Sequence, residues 1–195
     1  MKKFFFLFAL LILNVFSVVS QDLKSPEEFL GYKIGTQFTR HADVVDYFQH
    51  VADNSPLVTY QEYGETNEGR KLTYAVVSSE ENLGNIEQIR TDHLKGVGVL
   101  PGTAGNSEEK AIVWLSYNVH GNEASSTEAA MLTIYDLITS KQDWLDDTVV
   151  IMDPSLNPDG RDRYANWYNQ VKATPYNPSP LAIEHNEPWP GGRPN

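Results

Sequence analysis

Cysteine is absent from all 195 residues. Disulfide frameworks and thiolate sites for zinc, haem or iron–sulfur clusters are excluded with it, so any metal must be held by histidine, carboxylate or backbone oxygen. Basic charge is scarce too. The 15 Lys and Arg face 26 Asp and Glu, and the net charge of -11 becomes -13 once Lys2 and Lys3 are removed. A chain of that sign does not neutralise nucleic-acid phosphates over a broad surface, so no nucleic-acid partner is expected. Long apolar runs are also missing: the longest, Phe4 to Leu13, holds ten residues, well short of the roughly 20 that span a bilayer.

That run has a different use. Lys2 and Lys3 precede it, and Val18-Val19-Ser20 places small residues where a signal peptidase reads. Residues 1–20 are therefore expected to be a signal peptide, exporting the protein to the periplasm or the medium with no membrane attachment after cleavage. The remaining 175 residues, 21–195, suit one domain. Nothing in the sequence sets an oligomeric state.

The mature chain alternates helix and strand patterns. Ala42 to Ala52 lines up Val44, Val45, Phe48 and Val51 on one helical face. Leu57 to Gly64 and Leu72 to Val77 flank a turn at Thr66 to Gly69 and predict a hairpin. Asn82 to Lys95 predicts a weaker helix, and Gly96 to Ser107 a loop. Ala111 to Leu115 and Thr148 to Met152 are near-continuous apolar runs, the pattern of strands covered on both faces. Between them Glu123 to Ser140 predicts the strongest helix, with Ala130, Leu132, Ile134, Leu137 and Ile138 as its stripe. A strand–helix–strand unit of this kind predicts an α/β fold, a mixed and mostly parallel sheet with helices on both faces. After Ala173, prolines and glycines predict a long loop, and nothing there closes a domain.

Chemistry concentrates where the first buried strand meets the strong helix, in Asn118-Val119-His120-Gly121-Asn122-Glu123. Ends of buried strands are where open α/β sheets place their sites. His120 is expected on the turn and Glu123 in the first helical turn. A spacing of three lets an imidazole nitrogen and a carboxylate oxygen converge on one metal ion. Gly121 leaves that point free of a side chain. The same residues would also suit a surface histidine beside an acidic group that complements the helix dipole.

Asn157-Pro158-Asp159-Gly160 follows the next buried strand, at the same sheet edge as His120. The two motifs, in this order, resemble the zinc carboxypeptidase family typified by carboxypeptidase A, over roughly Glu62 to Arg163. The resemblance implies one zinc ion with His120 and Glu123 as two of its ligands, and a peptide or protein substrate. It also implies a substrate-binding arginine beyond Asn-Pro-Asp-Gly that polarises the scissile carbonyl, for which both Arg163 and Arg161 are candidates.

In that family the third ligand, an asparagine–arginine pair and a glutamate base lie further downstream, and no residue up to Asn195 matches them. The chain is thus expected to be the N-terminal portion of an exported metallocarboxypeptidase, inactive by itself. A zinc deacylase of the aspartoacylase type, which also carries H-G-N-E, and a noncatalytic peptide-binding relative are the alternatives. His41, His50, His93 and His185 are expected at the surface, and Tyr164, Trp167 and Tyr168 in packing.

Overall fold

A computed structural model describes residues 22–173, 177 and 179–186. The expected signal segment, residues 1–20, and much of the proline-rich tail lie outside the described residues. Two short amphipathic elements come first. Helix α1 (Pro26–Leu30) is fixed by a capping box between Ser25 and Glu28, and α2 (His41–Asn54) buries Val44, Tyr47, Phe48 and Val51. Strands β1 (Val58–Glu65) and β2 (Lys71–Val77) then form the expected hairpin. The predicted helix at 82–95 is broken into α3 (Glu80–Gly84) and α4 (Ile86–Gly96). The break falls at Asn85, whose backbone leaves the helical region there.

Strand β3 (Ala111–Ser116), helix α5 (Ser125–Thr139) and strand β4 (Thr148–Asp153) make the strand–helix–strand unit. The sheet order is β1-β2-β4-β3. Hairpin strand β2 runs antiparallel to both β1 and β4, while β3 and β4 pair parallel from Ala111↔Thr148 to Ser116↔Asp153. The sheet is mixed as expected. Parallel pairing, however, is confined to β3 and β4 among the described strands, because the hairpin supplies the other two.

Alternation places Ala75, Val77, Val150 and Met152 on one face, in a core with α2 and α5. Val76, Val149 and Ile151 turn to the other face, where they line a cleft with Ile86 and Ile89 of α4. Helices therefore cover both faces. Two expectations fail here. Among the described residues β3 is not covered on both sides: it is the outermost strand of the described sheet, and Trp114 is 67% exposed with only Leu115 against the core. On α5, Leu132 turns outward and Met131 takes its place inside.

Sequence patterning missed the element after β4. Asn-Pro-Asp-Gly starts helix α6 (Pro158–Val171). Asn157 is the N-cap, its side chain accepting from the Gly160 N–H at 2.9 Å, and Pro158 takes the first turn, where a missing N–H costs nothing. The start of α6 is pressed onto the turn that follows β3. A Cβ on Gly121 would lie 2.1 Å from the Gly160 carbonyl carbon, and both residues are buried. Only a glycine fits that approach.

The hairpin turn is tied to the same helix. Thr66 donates to Asp159 at 2.6 Å, and Arg70 bridges Asp159 and Asp162, each at 2.8 Å. Tyr164 and Tyr168 pack on Phe38, as expected of packing aromatics.

The histidines of α2 are interior, against expectation. His41 bonds the Lys71 carbonyl through Nε2 at 2.8 Å, while its Nδ1 is buried without a partner. His50 Nε2 accepts the Lys24 backbone N–H at 3.0 Å and must be unprotonated to do so. His93 and His185 are half-buried on carbonyls of Lys110 and Asn177. Backbone partners inside the fold hold His41 and His50 in the interior.

Burial pushes both α2 imidazoles below their ordinary 6.5, with the Lys71 carbonyl opposing this at His41 and Lys24 adding to it at His50. A depressed histidine gives stability that is full above the unfolded value and is lost as pH falls toward the folded one. Urea midpoints should therefore drop as pH is lowered from about 7 toward 5, with a shallower slope in the His41→Gln/His50→Gln double variant. An equal slope in the two proteins contradicts this assignment. Gly121→Ala should cost about 3 kcal/mol or more, since neither backbone can yield to the new methyl as a flexible side chain would. Chemical denaturation measures it, and a loss below about 1 kcal/mol would mean that the contact is loose.

Candidate metal centre

The site is built on the turn between β3 and α5. His120 and Glu123 project from it, 58% and 69% exposed at their side chains, with His120 Nδ1 3.2 Å from Glu123 Oε2. Glu123 lies two residues ahead of α5 rather than within its first turn. Its N–H donates to the His120 carbonyl at 3.1 Å, and its own carbonyl accepts from Ser126 Oγ at 3.0 Å. The turn thus closes on itself and hands over to the helix.

Behind these exposed groups the support is buried and polar. Asn118, 3% exposed, sits at φ 55°, a left-handed conformation that asparagine tolerates better than most residues. Its Nδ2 donates to the His120 carbonyl at 2.8 Å, and its Oδ1 accepts from Ser155 Oγ at 3.2 Å. The Asn118 carbonyl accepts the Asn157 N–H at 3.2 Å, and Asn157 Nδ2 donates to the Val119 carbonyl at 3.2 Å. Sequence reasoning named none of these three as site residues. The signal was available only in part, as an asparagine two residues before the histidine.

Asp153 ends β4 beneath this assembly. A bulge in β1 between Glu62 and Gly64 turns Tyr63 so that its hydroxyl donates to Asp153 Oδ2 at 2.6 Å. Burial pushes the Asp153 carboxyl above its usual range, against the pull of the Tyr63 hydroxyl and the Ser155 N–H. Asp159, at the start of α6, moves the other way. Burial opposes its ionisation, but Thr66 and Arg70 outweigh that and hold it low.

The two sequence-predicted arginines part company. Arg161 is the largest fully buried side chain. It donates to the Thr39 carbonyl at 2.9 and 3.1 Å, to Glu128 at 2.5 Å and to the Ala124 carbonyl. A guanidinium so enclosed cannot meet a substrate without opening the core. Arg163 lies toward the hairpin, half-buried, with Nη2 on Glu68 at 3.0 Å and Nη1 without a partner. Neither arginine joins His120 and Glu123 in any ion pair among the described residues.

One imidazole nitrogen and one carboxylate oxygen, close together and accessible, are a donor pair that zinc accepts. No cluster of three or more His, Asp or Glu residues that could hold a metal forms among the described residues. The pair is therefore compatible with zinc but is only part of a coordination shell.

Known proteins extend this picture. Carboxypeptidase A from Helicoverpa armigera matches at 22% identity and TM-score 0.49, over 65% of this chain and 26% of that one. Thrombin activatable fibrinolysis inhibitor matches at 14% identity and TM-score 0.50, over 72% and 29%. Its bovine counterpart, in complex with tick carboxypeptidase inhibitor, matches at 15% and 0.47, over 70% and 35%. The matched region is thus about a quarter to a third of these structures' length, and likeness at this level speaks to fold alone. No curated protein matches the chain. The profile of the zinc carboxypeptidases (Peptidase M14) covers residues 44–193, well over half of the sequence and both motifs of the site, so the chain belongs to the zinc carboxypeptidase family.

Proposed function

We propose that the chain is part of an exported zinc metallocarboxypeptidase that removes residues from the carboxyl ends of peptides or proteins. The observation that carries the reading is the accessible His120–Glu123 pair on a turn locked against the Asn-Pro-Asp-Gly helix start, in a chain of this family. Export rests on the composition of residues 1–20. A second class of substrate, N-acyl amino acids, has no particular observation in its favour.

His120 and Glu123 would hold the metal. When bound, zinc supplies Lewis-acid polarisation of a carbonyl and lowers the pKa of a coordinated water. The chain's own contribution is positional. It presents the nitrogen and oxygen donors on one side of a turn whose backbone is fixed from behind. Of the two arginines, Arg161 is an interior tie that supports the residue after Glu123 through the Ala124 carbonyl. Arg163, the less buried of the two, stays the candidate for binding the substrate carbonyl, and would have to leave Glu68 and expose its buried Nη1 to do so.

Full-length protein should release carboxyl-terminal residues from peptides and lose that activity to a chelator. His120→Ala and Glu123→Ala should each lose bound zinc, read by elemental analysis. Arg163→Ala should retain zinc and lose about 10²–10³ in kcat, the effect of deleting an oxyanion donor. Arg161→Ala should instead lose about 3–5 kcal/mol of stability, since it strands Glu128 as an unpaired buried charge. Turnover of N-acyl amino acids without peptide cleavage would select the deacylase reading. Unchanged zinc content in the His120 and Glu123 variants would end the metal assignment.

A further inference from the structure

We infer that Asn118 is a positioning residue for the metal-ligand turn, acting through the backbone of His120; this rests on His120 and Glu123 being zinc ligands. Three observations meet at this side chain. It is buried at 3% exposure directly under two ligands that are more than half exposed. Its backbone stands at φ 55°, uncommon for any residue but glycine, and it is the one such non-glycine residue among those described. Its amide is engaged at both ends: Nδ2 reaches the His120 carbonyl at 2.8 Å and the Gly121 carbonyl at 3.5 Å, while Oδ1 takes the Ser155 hydroxyl at 3.2 Å.

The geometry has a direction. Ser155 follows β4, so the chain of bonds Ser155–Asn118–His120 ties the ligand-bearing turn to the neighbouring strand end. The backbone bonds from Leu156 N–H to the Tyr117 carbonyl at 2.9 Å and from Asn157 N–H to the Asn118 carbonyl at 3.2 Å run beside it. Gly121 packs against Gly160, but the side chains of His120 and Glu123 are exposed and gain little restraint from packing of their own. Without the tie, His120 and Glu123 would have to be ordered when the metal binds, and the ordering entropy would be subtracted from affinity. Only an amide serves here. Its NH2 satisfies carbonyls and its oxygen accepts a hydroxyl, whereas a carboxylate in the same place would face the His120 carbonyl with no donor.

The test is zinc affinity of the full-length protein, by competition with a chromogenic chelator. Each variant is measured at a temperature where circular dichroism shows it fully folded. Asn118→Gly keeps the left-handed backbone and Asn118→Asp keeps shape as well, but both remove the amide donors. Each should weaken zinc binding about tenfold or more, the usual effect of losing a group behind a ligand. Ser155→Ala, which removes one hydroxyl from the tie, should weaken it about threefold, as befits a single neutral hydrogen bond. That variant carries the test should the Asn118 variants not fold.

A purely structural role would lower the unfolding temperature and leave the affinity of folded protein unchanged. Wild-type affinity in folded Asn118→Gly, or in Ser155→Ala where that variant decides, overturns the inference while the metal reading stands. Zinc affinity that is untouched by His120→Ala overturns the metal reading, and this inference with it.

Discussion

Two backbones meet at Gly121 and Gly160, closer than any side chain would permit. That approach fixes the turn after β3 against the start of α6, and the placement of every other group at this end of the sheet follows from it. The parallel register of β3 and β4 brings Ser116 level with Asp153, so the two strand ends finish side by side. Each then continues into a turn and a helix, α5 from one and α6 from the other. Tight contact between the turns leaves no room for sliding, and the polar cross-links of Asn118, Ser155 and Asn157 can form only at this separation.

Charge secures the same end from two other sides. Arg161 reaches from α6 through the interior to Glu128 of α5 and to carbonyls at Thr39 and Ala124. Arg70 reaches from the hairpin to Asp159 and Asp162 on the outer side of α6. The two arginines act differently because their burial differs. A fully enclosed guanidinium–carboxylate pair is weak evidence of net stability but is very costly to break, so it selects one arrangement over its neighbours. The Arg70 pairs are partly solvated, and their worth lies in linking two carboxylates of α6 through one guanidinium more than in the Coulomb energy of either pair. The first turn of α6 is thereby held from the core and from the hairpin together.

What could be read in the sequence divides along physical lines. The hairpin and β4 were legible because their apolar periodicity is local, and α2 and α5 because their stripes repeat at helical spacing. Strand β3 was legible as a strand but not as an edge. An apolar run shows that cover is wanted, while position in the sheet depends on which partner comes next. Helix α6 was hidden because its first residues, Asn-Pro-Asp-Gly, are also turn formers. Asn157 caps, Pro158 occupies the first turn and Gly160 answers Gly121, so each residue there has a reason that belongs to the tertiary contact. The arginines show the same limit. Proximity to a motif in sequence made both Arg163 and Arg161 candidates, although helical positions two apart face different surroundings.

The candidate centre separates what must be reached from what must be rigid. His120 and Glu123 are more exposed than any residue that supports them, while Asn118, Asp153 and Ser155 are almost wholly enclosed. An enclosed polar group is tolerable only with its partners in place. Asn118 has the His120 carbonyl and Ser155, and Asp153 has Tyr63 and the Ser155 N–H. Ser155 is common to both sets, donating its hydroxyl to one side chain and its N–H to the other. A single residue at the exit of β4 thus joins the His120–Glu123 turn to the buried carboxyl and, through Tyr63, to the bulge of β1. Rigidity at the His120–Glu123 turn is in this sense borrowed from strands that carry neither residue.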